Sequence, residues 1–392
     1  MRLRTENSTE KIIKVLFWGT YDIGKPRTRI LLQGLVENGV EVIECHADVW
    51  SEVEDKSQVS NSLAKLRLLF KWILSYPKLI IRYLQLPVHD IVFVGYMGHM
   101  DVLIISPFAK LRGVKLVWDA FLCLYDTVVE DRRLVSPRNP IAYLLYVWEW
   151  LASRAADLIL LDTATHAEFF RQKYNLPLSK TGYVFVGVEP DLFPQADRAS
   201  ITLLEERPLR VLFYGQFIPL HGIDTIIRTA QLADTTSIEW TIIGKGQEGN
   251  KIQAMLDDHP IPNLKWIPWV RYEELVKWIH EADVCLGIFG DTEKAGRVIP
   301  NKVFQILASG KPLITRDSLA IRELIDPEMP GIFMVPPADP KALLEIIDLV
   351  KEMRNILTMQ ELHKEILDKI TPASIGRALV EIIDDHLATS SY

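Results

Sequence analysis

The chain has 392 residues, room for roughly two domains at about 100–200 residues each. With 48% hydrophobic and 24% charged residues it can bury a sizeable core, which excludes a disordered chain. A formal net charge of −7 argues against a general nucleic-acid binder, whose phosphate contacts demand a basic surface.

Three cysteines, Cys45, Cys123 and Cys285, stand far apart without a CxxC pair, as in a reducing compartment rather than in a disulfide framework or zinc site. The opening "MRLRTENSTEKIIKV" has no apolar leader segment. The longest apolar runs fall short of the ~20 residues that span a bilayer. These features predict a cytoplasmic protein, soluble or peripheral on the inner face of the cell membrane.

Short β-branched runs alternate with helical patterns along nearly the whole chain, the signature of a parallel α/β architecture. In the first half strands are predicted at 14–19, 41–47, 90–96, 115–121, 157–163 and 183–188. Between the second and third lies "SNSLAKLRLLFKWILSYPKLIIRYLQLPVH" (60–89), which carries Lys65, Arg67, Lys71, Lys78 and Arg82 and no acidic residue. Leu63, Leu66, Phe70 and Ile73 share one helical face there. A basic amphipathic helix suits an anionic membrane surface, and it equally suits a helix that packs on a core with a basic outer side. The stretch "IAYLLYVWEWLA" (141–152) reads as a buried helix.

The second half repeats the scheme, with strands at 210–215, 238–244, 264–270, 282–289, 312–317 and 331–337. Its opening run Val211-Leu212-Phe213-Tyr214-Gly215 parallels Val15-Leu16-Phe17-Trp18-Gly19 in the first half. Two Rossmann-like sheets in tandem are expected, joined through 189–208, with ligands held where the carboxyl ends of the strands face one cleft. The domains are placed at 1–190 and 191–370, with a final helix over 371–392 returning to the first.

"TIIGKGQEGN" (241–250) contains a literal G-x-G-x-x-G in Gly244, Gly246 and Gly249. A dinucleotide fingerprint belongs on the first strand of its domain and wants an acidic residue about 20 positions on. Here the glycines follow a second strand and lead to "LKWIPWV", so no nicotinamide or flavin cofactor is expected. A tight strand-to-helix turn accounts for Gly246 and Gly249 equally well. The segment 286–317 carries more. A helix is predicted from Pro300-Asn301 to Gly310, with Lys302 in its first turn and Lys294 and Arg297 just before it. A lysine there opposes the helix dipole, so local helix stability does not explain it, whereas a bound diphosphate does.

Taken together, "VLFYGQFIPLHGIDTIIRTAQL" (211–232), "IIGKGQE" (242–248), "ADVCLGIF" (282–289), "IPNKVFQILASGKPLIT" (299–315) and "VGVEPDLFP" (186–194) resemble the retaining glycosyltransferases of family 4, glycosyl transferases group 1. The resemblance spans nearly the whole chain. It implies the GT-B fold of two facing Rossmann-like domains, a nucleotide-diphosphate sugar on the C-terminal domain, an acceptor on the N-terminal one, and usually no essential metal.

Position by position the pattern departs from the family. Gln216 and His221 stand where the family has Arg and Lys, and its E-x7-E reads Arg297…Gln305. The resemblance thus implies that positive charge has moved to the 294–302 loop, with Arg297 and Lys302 on the diphosphate. Gly215, Gln216, His221, Gly244 and Asn301 would border the donor. Gln305 would meet the ribose, and Val270 and Arg271 would line the base pocket. Asp119 and His99 would sit at the acceptor face. The acceptor would be lipid-linked or a growing surface polysaccharide if 60–89 meets a membrane. Two other readings stay open: a nucleotide-sugar epimerase or hydrolase of the same shape, and a catalytically weak or inactive protein that only binds a nucleotide sugar.

Overall fold

A computed structural model describes residues 12–50, 62–196 and 207–389. The opening stretch, residues 60–61 of the basic segment, 197–206 of the joining segment and the last three positions of the expected C-terminal helix lie outside the described residues, as do the side chains of Leu63 and Lys65.

The first half runs β1 (Lys14–Gly19), α1 (Pro26–Glu37), β2 (Glu41–His46), α2 (Ser62–Gln85), β3 (Ile91–Val94), α3 (His99–Arg112) and β4 (Lys115–Asp119). A π-helical turn (Asp126–Asp131) follows, then α4 (Pro140–Ala155), β5 (Leu158–Leu161), α5 (Ala164–Tyr174) and β6 (Thr181–Tyr183). The second half runs β7 (Leu209–Tyr214), α6 (Ile223–Leu232), β8 (Ile238–Ile243), α7 (Gly249–Asp258), β9 (Leu264–Ile267), α8 (Leu275–Glu281) and β10 (Val284–Leu286). It continues with α9 (Asn301–Ala308), β11 (Leu313–Arg316), α10 (Leu319–Leu324), β12 (Ile332–Val335), α11 (Pro340–Met359), α12 (Lys364–Ile370) and α13 (Pro372–Thr389).

Among the described residues the strands form two six-stranded parallel sheets, ordered β2-β1-β3-β4-β5-β6 and β12-β11-β10-β7-β8-β9. Each is covered on both faces, which is why β3 and β5 are apolar at every position and fully buried. On one face of the first sheet α1 and α13 enclose Phe17, Ile30, Leu35, Leu379 and Ile383. Gly34 and Gly376 let those two helices touch: a Cβ on Gly34 would lie 2.4 Å from the Pro372 carbonyl oxygen. The other face holds the inward residues of α2 to α5, and α6, α7 and α11 enclose one side of the second sheet.

The predicted strands occur in order, with two differences. The run 183–188 is strand only over its first residue, and Val184 to Val188 forms the entry to the second domain. Helix α4 is not wholly buried as read: Ala142, Glu149 and Ala152 face inward, but Ile141, Tyr143, Leu144 and Leu151 are exposed. Its inward side is held by small residues and one polar anchor, so its larger apolar residues are left outside.

The halves meet at the carboxyl ends of their strands. The switch in the second sheet's order falls between β7 and β10, the crevice position where open α/β sheets take ligands. Across the domain boundary the Glu323 carboxylate of α10 accepts from Ala164 N (2.7 Å) and Thr165 N (2.8 Å) at the start of α5. An anion on a helix N-terminus is stabilised by the free N–H groups and the dipole.

Candidate functional site

Gly215 follows the end of β7 and Gly244 the end of β8, and the two turns touch. A Cβ on Gly244 would lie 1.9 Å from the Gly215 carbonyl oxygen, so only glycine fits. Together with Tyr214, Gln216, Lys245, Pro268, Trp269, Val270 and Leu275 they line a pocket of about 230 Å³. Gly215, Gln216, Gly244 and Val270, each expected from the sequence, are therefore brought together. Arg271 is not: it stands 69% exposed and is paired with Glu274 at 2.6 Å. Trp269 and Tyr214 were missed, though both flank residues that the sequence singled out.

Beside this pocket, α9 begins after Pro300, and no side chain caps it. Asn301 takes its first position, half-buried. Lys302 is 4% exposed, and its Nζ has no hydrogen-bond partner. The ammonium rests 3.8 Å from the centre of the Phe213 ring, and it occupies the space a side chain at residue 215 would need, 2.8 Å from that Cβ position. A cation held against an aromatic face gains some attraction, but not the several kcal/mol that its desolvation costs. Burial accordingly pushes the lysine well below its usual pKa. His221 stands next to it, with its Cε1 3.1 Å from the same Cβ position. Its Nδ1 pairs with the Gln216 carbonyl, and desolvation, then the charges of Lys302 and Arg132, hold the imidazole well below its ordinary pKa. A neutral ring therefore sits beside an unpaired ammonium.

The other expected site residues have partners that the sequence concealed. Arg297 is not free for a diphosphate: its Nη2 donates to Asp126 Oδ1 at 2.9 Å, and its guanidinium lies 3.8 Å over the Phe169 ring. Lys294 joins the same carboxylate at 3.7 Å and donates to Thr127 Oγ1. Both cations thus bind the first domain. Gln305 is buried, accepting from the Tyr214 hydroxyl (3.0 Å) and donating to that of Tyr272 (3.1 Å). The Tyr272 hydroxyl reaches Glu189 at 3.4 Å, and Arg29 holds that carboxylate with two 2.6 Å bonds. Gln305 thus ends a chain of hydrogen bonds running to the interdomain segment and α1; it does not line the pocket.

In the first domain, Asp119 is 1% exposed and filled by Arg27, with Nε at 2.9 Å and Nη2 at 2.7 Å. That pair ties α1 to β4 and leaves the carboxylate no face toward a ligand. His99 is a core residue, its Nε2 3.1 Å from Glu149 Oε1 and its ring against Trp118. Glu149 also accepts from Leu124 N (2.6 Å), Tyr125 N (3.0 Å) and the Tyr174 hydroxyl (2.6 Å). It anchors the segment that leads into Asp126–Asp131. That segment was not singled out from the sequence. In the fold it crosses the cleft: besides Asp126, Asp131 accepts from Thr292 at 2.8 Å and the Arg132 carbonyl from Gln247 at 2.7 Å. Phe121 and Arg133, at φ +53° and +50°, bracket it in the left-handed region, and such strain gathers at functional sites. Among the described residues no three His, Cys, Asp or Glu side chains gather as a metal site.

Residues 208–351 match the family model for glycosyl transferases group 1. The D-inositol 3-phosphate glycosyltransferases of Mycobacterium strains KMS and MCS are 24% identical over 206 residues, 49% of this chain and 46% of theirs. The chain thus spans under half the length of these curated relatives. The fold is similar to that of Anabaena HepE, crystallised with UDP and glucose: TM-score 0.65 at 12% identity, over 95% of this chain and 99% of HepE. Sucrose-phosphate synthase from Thermosynechococcus elongatus gives 0.70 at 13% identity, over 96% of this chain and all of the other. The chain therefore has the two-domain fold of GT-B glycosyltransferases, and its residues 208–351 are similar to the glycosyl transferases group 1 family.

Proposed function

We propose that this protein is a retaining glycosyltransferase of the family 4 type, which moves a sugar from a nucleotide diphosphate to an acceptor hydroxyl. The observation that carries the reading is Lys302: a buried, unpartnered ammonium at the uncapped start of α9, beside the glycine turn of β7. An incoming diphosphate supplies the counter-charge this group lacks. In the transfer the bond from the sugar C1 to the β-phosphate oxygen breaks, and a bond from C1 to the acceptor oxygen forms on the same face. The acceptor proton passes to the departing phosphate. Asp119 is taken up by Arg27, which favours this route over a protein base. Developing charge on the leaving group is the main quantity to stabilise, and prearranged cations do that best. In this reading the chain's own cations serve in place of a divalent metal, so EDTA leaves turnover unchanged.

HepE's complex with UDP makes uridine the first base to try, with the pocket at Trp269 and Val270 as its place. Thermal-shift titration with UDP-, GDP- and ADP-sugars tests the donor. A shift of several degrees with one of them is expected; no shift with any removes the reading. Nucleotide release on adding a polyprenyl-linked acceptor then separates a transferase from a protein that only binds its nucleotide sugar.

Helix α2 supports the reading of a membrane-borne acceptor. Trp72, Tyr76, Leu79 and Tyr83 turn inward, yet Leu66, Leu69, Phe70, Ile73 and Leu74 form a second apolar stripe at helical spacing that is exposed to solvent. Exposed Arg67, Lys71 and Lys78 accompany it. The core explains the first stripe and not the second, and an apolar patch with basic neighbours fits an anionic bilayer surface. No helix among the described residues is long and apolar enough to cross a membrane. Flotation with vesicles containing phosphatidylglycerol is expected to carry the protein upward. Reversal of Arg67, Lys71 and Lys78 to Glu should cut the bound fraction severalfold, at about 1 kcal/mol per charge. Vesicle-independent dimerisation through the same stripe would instead assign it to a second copy of the chain.

A further inference from the structure

We infer that Arg132, which belongs to the acceptor domain, is the second cation of the donor diphosphate and reaches it across the cleft; this rests on the donor reading above. The resemblance leaves a deficit at this place. Gln216 and His221 stand where arginine and lysine are expected, and His221 is held neutral. The candidates to make up the loss, Lys294 and Arg297, are both spent on Asp126. Lys302 alone faces a group that carries more than one negative charge.

Arg132 supplies what is missing. Its Nη2 donates to Gln216 Oε1 at 3.1 Å, so a guanidinium from one domain stands where the other domain's loop has lost its own. That amide is a neutral partner. Among the described residues no carboxylate lies in ion-pair distance of Arg132, whereas Lys294 and Arg297, which also cross the cleft, both pair with Asp126. Its Nε is buried without any hydrogen-bond partner. Its position is fixed by its own main chain, through Gln247 Nε2 at 2.7 Å, and by Asp131 on Thr292 just before it. Gln216 links the two cations: its side chain takes Arg132 at 3.1 Å, and its carbonyl pairs with His221, which stands beside Lys302 at Gly215. A planar guanidinium suits a phosphate oxygen pair, and Gln216 is easily displaced from it. Because this cation comes from the opposite domain, the diphosphate site is complete only when the domains meet.

The test is calorimetric titration of the full chain with UDP, GDP and ADP, each against its nucleoside. Arg132→Ala is expected to weaken the preferred diphosphate roughly ten- to hundredfold, the loss of one charged hydrogen-bonding partner. Nucleoside binding should change less than twofold. Adding Gln216→Arg to Arg132→Ala, which returns a cation from the donor side, should recover most of the lost affinity. A purely structural contact between residues 132 and 216 gives no such recovery. Arg132→Lys should retain part of it. Matching near-ultraviolet circular dichroism for all variants shows that the fold is kept. The proposal is overturned if Lys302→Ala weakens the diphosphate while Arg132→Ala does not. It is also overturned if nucleoside affinity drops equally, or if Gln216→Arg restores nothing. Failure of the unaltered chain to bind any of the three diphosphates overturns the donor reading and this inference together.

Discussion

Lys302→Met is expected to make the protein more stable and inactive at once. The ammonium is buried with no partner, and an unsatisfied buried polar group costs about 1–3 kcal/mol, which methionine of similar length removes. The urea midpoint of the ligand-free protein should therefore rise. Donor turnover should fall about 10²- to 10³-fold, the usual effect of losing a prearranged partner for developing charge.

The pH dependence has a definite sign. Burial lowers the pKa of Lys302 below its unfolded value, so between the two values the unfolded chain binds one more proton. Ligand-free stability contributed by this group thus rises with pH through that interval, and the Met variant lacks the rise. A bound diphosphate favours the charged form and raises this pKa again, so the rise of stability with pH should flatten when UDP is present and should be missing from Lys302→Met. Unchanged turnover, or a loss of stability in the variant, would remove Lys302 from the site.

Glu149→Ala should have the second large effect, on stability. Burial by itself would raise this carboxyl, but the hydrogen bonds from His99, Tyr174 and the Tyr125 N–H prevail and hold it at about 2. Removing one member of a buried charged network costs about 3–5 kcal/mol, because the remaining groups stay buried without partners. The stabilisation is fully present above the ordinary carboxyl value of 4.5 and is lost as pH falls toward 2. Urea unfolding between pH 5 and pH 3 should show the native protein losing stability more steeply than Glu149→Gln. Since Glu149 also fixes the main chain at Leu124 and Tyr125, Glu149→Ala should loosen the Asp126–Asp131 turn and weaken UDP binding without touching the pocket.

The sheets were legible because parallel strands covered on both sides must be continuously apolar, and "KVLFWG" or "IVFV" has no other reading in such an alternation. Helix α9 announced itself through Pro300 at its start and Gly310 beyond its end, and the opposed lysine inside it already pointed to an anion. The pocket residues Gly215, Gln216, Gly244 and Val270 came from motifs local in sequence. His99, Asp119 and Arg297 were misplaced for one shared reason. Each is a charged or polar residue whose partner lies 50, 92 or 171 positions away, where no periodicity or spacing can announce it. Arg132 was hidden by the opposite circumstance. Its neighbourhood is irregular, so nothing in the charged run after β4 distinguished a residue that spans the cleft from one in solvent.

The carboxylate that Glu323 lends to the first turn of α5 has a mechanical consequence. Pulling the lobes apart leaves those peptide hydrogens to water alone and sends the anion back to solvent, a toll of about 1 kcal/mol by the usual value of such end-contacts. That contact fastens the two lobes in the posture seen here, through the tip of one spiral as well as through the tether.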